Sequence, residues 1–97
     1  MFADLVYQVL RKVPRGKVTT YSAIARAIGK PKAARAVGNA LNKNPYAPQV
    51  PCHRVIKNSG EVGGFAHGTK KKIQLLGREG VIVKNGRVGK EFIVKHL

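Results

Sequence analysis

The hexapeptide Val50-Pro51-Cys52-His53-Arg54-Val55 sets the only cysteine of the chain beside an imidazole and a guanidinium. Sulfur attacks carbon as a thiolate, and a free thiol with a pKa of about 8.5 is mostly protonated at neutral pH, so a base or nearby positive charge is what makes a cysteine a nucleophile. Cys52 has candidates for both next to it. A buried free cysteine also behaves as a small hydrophobe, and the hexapeptide alone leaves nucleophile and core residue equally open. With one cysteine no disulfide can form within the chain, which argues against a secreted, disulfide-stapled scaffold and for a reducing compartment. One Cys and three dispersed His form no recognisable ligand spacing, so neither a metal nor a cofactor is expected.

The elements that must position this cysteine follow from periodicity and breakers. Phe2, Leu5, Val6, Val9, Leu10 and Val13 recur at three and four, the stripe of an amphipathic helix ended by Pro14. After the turn at 15–17, Val18-Thr19-Thr20 leads into a second helix over 21–28, capped by Thr20 and stopped by Gly29. A third helix over about 32–42 is built from small residues, Ala33, Ala34, Ala36, Gly38 and Ala40. Two short helices joined by a Gly-containing turn have the shape of a helix-turn-helix. A small-residue face lets a backbone approach a narrow groove while Arg35 projects beyond it, although the same alanines also suit tight helix packing. Three prolines at 45, 48 and 51 keep the approach to Cys52 out of helix. Beyond it come a short strand at Val55-Ile56, a glycine-rich loop over 58–68, a fourth helix capped by Thr69 and closed at Glu79-Gly80, and a hairpin turning at Asn85-Gly86.

Composition narrows the function. The 97 residues, 43% of them hydrophobic, suffice for one domain and one core. No export signal or membrane-crossing stretch is expected, and the protein is placed in the cytoplasm, at the nucleoid in a prokaryote. Nineteen Lys and Arg against four Asp and Glu give a formal charge of +15, which points to a polyanionic partner. Basic residues such as Arg11, Lys17, Arg26, Lys43, Lys57 and Lys72 are scattered rather than confined to one long helix, which favours nucleic acid over a membrane surface. About half of them are expected to do no more than keep the surface soluble.

Six motifs in order give a resemblance: Thr20-Tyr21, the run Pro31-Lys32-Ala33-Ala34-Arg35-Ala36-Val37-Gly38, Asn44-Pro45, Pro51-Cys52-His53-Arg54-Val55, Gly63-Gly64-Phe65, and Leu75-Leu76-Gly77-Arg78-Glu79-Gly80. The chain resembles the C-terminal, active-site domain of the O6-alkylguanine-DNA alkyltransferases, the methylated-DNA-protein-cysteine methyltransferases. That resemblance implies a mainly α, winged-helix-like helix-turn-helix bundle with short β elements, a single domain over 1–97 that lacks the N-terminal domain of larger relatives and acts as a monomer. It implies a partner, double-stranded DNA containing O6-alkylguanine, and irreversible transfer of the alkyl group to Cys52 after the base is flipped out through the minor groove.

The same resemblance distributes roles. His53 acts on Cys52 through a bound water and is held by Glu79. Arg35 enters the duplex and fills the gap left by the rotated base, Tyr21 presses on a phosphate, and Thr20, Ala34 and Gly38 complete the DNA-binding set. Asn44 holds the turn before the active-site segment. Pro45, Arg54, Gly64, Phe65 and Ala66 shape the pocket, with Phe65 standing where the family commonly has tyrosine, Ala66 where some members carry a hydroxyl, and His67 where a small residue is frequent. The family also contains alkyltransferase-like proteins, which bind alkylated DNA and replace the acceptor cysteine. Three readings therefore compete: a self-inactivating alkyltransferase, a non-catalytic lesion sensor, and a general basic DNA binder.

Overall fold

Apolar residues at helical spacing build α1 (Phe2–Leu10), whose Val6 and Leu10 are fully buried as one face of a 3.6-residue repeat. The computed structural model describes residues 2–46, 49–63 and 68–97. The stripe departs from expectation at Leu5, which is 42% exposed, while Tyr7 turns inward and donates its hydroxyl to the Ala40 carbonyl at 2.9 Å. Tyrosine fits there because its polar tip has found an acceptor. The helix also stops before Pro14: the amides of Lys12 and Val13 bond to carbonyls three residues back, tightening the chain so that Val13 still reaches the core.

Thr20 caps α2 (Tyr21–Ala27), its hydroxyl accepting the Ala23 amide at 3.1 Å. The helix ends through Gly29 at φ +79°, with the Gly29 and Lys30 amides returning to the Arg26 and Ala25 carbonyls. Only glycine adopts that left-handed conformation without penalty. The next helix, α3 (Ala34–Asn42), starts later than the expected position 32, because the Ala33 amide is engaged by the Lys30 carbonyl in a turn that must finish first. With α1, these two helices enclose a core of Val6, Leu10, Val13, Ile24, Val37, Leu41, Val50 and Val55.

A second core lies beside the first. The strand expected at Val55-Ile56, β2, pairs in parallel with β1 (Thr19–Thr20), in the register Thr19 to Val55 and Thr20 to Ile56. The tail then adds to β1 from the other side: Val18 bonds the Phe92 carbonyl and the Val94 amide, and the Thr19 hydroxyl donates to Val94 at 2.6 Å. Beneath this, α4 (Thr69–Arg78) and a hairpin of β3 (Val83–Lys84) and β4 (Arg87–Val88) contribute Leu76, Val81 and Val88 to a cluster with Val18, Ile56 and Val62. The hairpin turn has Asn85 at φ +53° and Gly86 at φ +74°, the two left-handed residues of the expected tight turn. Thr69 is not the cap of α4. Gly68 holds that place without a side chain to offer, and the Thr69 hydroxyl donates instead to the Gly63 carbonyl at 3.4 Å. The architecture is the expected mainly helical, helix-turn-helix bundle with short β pairs, and among the described residues no helix is long and apolar enough to cross a membrane.

Candidate active site

Cys52, His53 and Arg54 form a single 3-10 turn between Pro51 and β2, so the turn spans the seam between the two cores. Cys52 is 8% and His53 4% exposed. Ahead of the turn, Asn44 donates its amide to the Val50 carbonyl at 2.8 Å and accepts the Tyr46 amide at 2.9 Å, closing the loop that delivers Cys52 from α3.

Glu79 gathers the other two members of the turn. Arg54 grips the carboxylate with two parallel bonds, Nε to Oε1 at 2.8 Å and a terminal nitrogen to Oε2 at 2.6 Å, and its other terminal nitrogen donates to the Val13 carbonyl at 3.0 Å. His53 Nε2 lies 3.1 Å from Oε2 of the same carboxylate. Bidentate geometry of this kind is the strong form of the arginine-carboxylate pair. The end of α4 that carries Glu79 is pinned in turn. Arg15 donates to the Arg78 carbonyl at 3.0 Å, and Gly16, at φ +88°, passes so close that an added Cβ would sit 3.2 Å from the Glu79 carbonyl oxygen.

These contacts set protonation. Burial works against charge on Glu79, but the hydrogen bonds from Arg54 and His53 outweigh it and hold the carboxyl below its ordinary 4.5. Burial lowers His53 from its ordinary 6.5, only partly offset by Glu79. The imidazole is therefore neutral near pH 7. An ionised carboxylate only accepts, so the proton of that neutral ring resides on Nε2 and Nδ1 is left as a base. Burial likewise raises the hydroxyls of Tyr7 and Tyr21 above 10.0, with Tyr46 and then Asp4 adding more than Cys52 does at Tyr7, and Cys52 adding at Tyr21, which keeps them protonated.

On the helix-turn-helix, Tyr21, Ala34, Arg35 and Gly38 line one open depression together with Lys57 and Asn58. The Gly38 position faces the Tyr21 ring, where an added Cβ would lie 3.8 Å away in ordinary contact. Asn58 donates to the Ser22 hydroxyl at 2.6 Å, fastening the loop after β2 to α2. Thr20 does not join this set: it is 1% exposed with its hydroxyl spent on the cap, so it positions Tyr21 rather than facing solvent. Pro45 is exposed beside Asn44. Gly64, Phe65, Ala66 and His67 lie outside the described residues. The sequence marks Lys57 only as one of the scattered basic residues and Asn58 only as the start of a loop, because a lysine and an asparagine after a two-residue strand look like any solvated turn. Lys72, read as one of the scattered surface cations, is fully buried. Among the described residues no cluster of three His, Cys, Asp or Glu could hold a metal ion.

Residues 1–81 match the family model described as 6-O-methylguanine DNA methyltransferase, DNA binding domain. The chain belongs to that family. It is 49% identical over 79 residues to the methylated-DNA--protein-cysteine methyltransferase of Methanosarcina acetivorans, a match covering 81% of this chain and 51% of that protein. Among solved structures, the Mycobacterium tuberculosis OGT in complex with DNA aligns with a TM-score of 0.78 at 46% identity, over 80% of this chain and 48% of that one. Atl1 of S. pombe, in complex with damaged DNA containing O6-carboxymethylguanine, aligns with a TM-score of 0.85 at 33% identity, over 97% of this chain and 94% of that one. The chain spans about half the length of the curated methyltransferase it matches in Methanosarcina, and less of others such as the E. coli Ada protein, at 22%.

Proposed function

We propose that this methyltransferase-family chain is the active-site domain of a DNA repair protein that moves an alkyl group from O6 of guanine in double-stranded DNA onto Cys52, once per molecule. The observation that carries this reading is the Arg54-Glu79-His53 cluster, which holds a neutral imidazole next in sequence to the chain's only thiol. In the reaction His53, acting through a water, takes the Cys52 proton. The thiolate then attacks the alkyl carbon: a C–S bond forms, the C–O6 bond breaks, and its electron pair leaves on guanine, which recovers a proton. A thiolate leaves an alkyl carbon poorly, so no step breaks the new C–S bond and regenerates the thiol.

The depression on α2 and α3 supports the DNA-handling half of the proposal. Arg35 projects from a surface of Ala34 and Gly38 beside Tyr21, so it can enter the minor groove and occupy the space vacated by a flipped base. Phosphate contacts release counterions, and a site making about four of them loses affinity about 10²-fold when salt rises from about 50 to about 200 mM. Fluorescence anisotropy with a short duplex measures this, and a flat salt response would contradict it.

A second reading has its own support. Atl1 aligns with nearly all of this chain, including the tail that lies beyond the matched family model, which favours a lesion-binding protein that performs no transfer. Cys52 supports transfer, because a sensor has no use for a thiol beside a held imidazole. Titrating a duplex containing O6-methylguanine and counting restored guanines separates the two: one restored base per protein and then a plateau is the result expected, whereas tight binding without restored guanine would establish the sensor.

A further inference from the structure

Strand register decides which side chains meet at the depression on α2 and α3. Strands β1 and β2 run parallel with Thr20 opposite Ile56, so the residues that follow, Tyr21 and Lys57, leave the same end of the pair and both line the depression. The next two, Ser22 and Asn58, are joined by the 2.6 Å hydrogen bond from the Asn58 amide. Lys57 is held from its own side as well. Its backbone amide donates to the Glu61 carbonyl and its carbonyl accepts the Gly60 amide, both at 2.9 Å. Its stem lies over Gly63, at φ +71°, where an added Cβ would meet the Lys57 Cγ at 3.3 Å and Cε at 3.6 Å. A lysine fixed through backbone and stem keeps its charged head in solvent.

Among the described residues the Lys57 ammonium forms no ion pair or hydrogen bond, and the one acid of its turn, Glu61, accepts from the Ser59 hydroxyl instead. A held cation beside Tyr21 and Arg35 suits a phosphate. We propose that Lys57 is a positioning residue for the lesion nucleotide, its ammonium pairing with the phosphate on which Tyr21 presses. The two residues delivered by the paired ends of β1 and β2 then hold one phosphate, the lysine by charge and the tyrosine by shape. The inference rests on this depression being the DNA face and adds a contact from outside the helix-turn-helix. Lys57 stands five residues after Cys52, with only the rest of the 3-10 turn and β2 between them. Backbone gripped by Lys57 is therefore registered against the segment that carries the thiol, which α3 alone does not provide.

Lys57→Met keeps a stem over Gly63 and removes the charge, while Lys57→Arg keeps the charge. Binding of a short duplex carrying one O6-methylguanine is followed by anisotropy over a salt series. In Lys57→Met the slope of log affinity against log salt is expected to shrink by about 1, the loss of one phosphate contact, and in Lys57→Arg to stay at the wild-type value. A slope that Lys57→Met leaves unchanged, or that both variants reduce alike, would overturn the proposal. A wild type indifferent to salt would instead remove the DNA face itself, and the proposal with it. The phosphate is located by coupling. Replacing the two phosphates that flank the lesion with neutral methylphosphonates is expected to weaken binding less in Lys57→Met than in the wild type, and equal losses in the two proteins would overturn the pairing.

Discussion

Replacing Glu79 with glutamine is expected to slow alkyl transfer about 10²-fold, the scale of losing a positioned acid-base partner, and to cost about 3 kcal/mol of stability. The second figure follows from the pair it breaks. The side chains of Arg54 and Glu79 are 16% and 9% exposed, and removing one partner of a buried pair leaves the other charge uncompensated. For a domain of this size the melting temperature should drop by more than about 10 °C. Glutamine can still accept from Arg54, so a loss confined to a few tenths of a kcal/mol would mean that the charge itself contributes little. The same contacts predict how the wild type responds to acid. His53 is depressed below 6.5, so the unfolded chain takes up its proton first and stability starts to fall below that pH; Glu79 is depressed below 4.5, so its contribution, complete above 4.5, is lost as pH falls through its folded value. Urea titrations at a series of pH values measure both windows, and a stability that rises on acidification would contradict the assignment.

Arg35→Ala is expected to separate handling of the duplex from chemistry. If Arg35 occupies the gap left by the flipped base, its loss returns an unstacking cost of a few kcal/mol to the protein, which slows repair in duplex on the order of 10²-fold. Reaction of Cys52 with free O6-benzylguanine, which needs no flipping, should change by less than about twofold. Arg35 is exposed, so folding should be unaffected. Single-turnover rates on the two substrates measure the contrast, and equal losses on both would remove the intercalating role.

Most of what positions this site can be read from the chain because it rests on local chemistry. Thr20 before an apolar run, Gly29 after one and Asn85-Gly86 between β-branched residues each specify backbone geometry on their own. The pairing of Glu79 with His53 came from resemblance, since residues 26 apart carry no local signal of contact. What stayed hidden is what depends on tertiary partners. Val18-Thr19-Thr20 is too short to alternate, and only β2 and the tail at 92–94 make it a strand. Tyr7 reads as a polar break in the stripe of α1 until the Ala40 carbonyl accepts its hydroxyl. Lys72 is the largest miss. In a run of three lysines nothing marks the third as buried, except that it falls four residues before Leu76 and seven before Glu79 on one helix face.

The most direct test of the central claim is the intact mass of the protein after incubation with a duplex carrying one O6-methylguanine. The wild type should gain the mass of a single methyl group, located on Cys52 by peptide mapping, while Cys52→Ala binds the same duplex and gains nothing. An unchanged wild-type mass, or a methyl group on any other residue, would contradict the account.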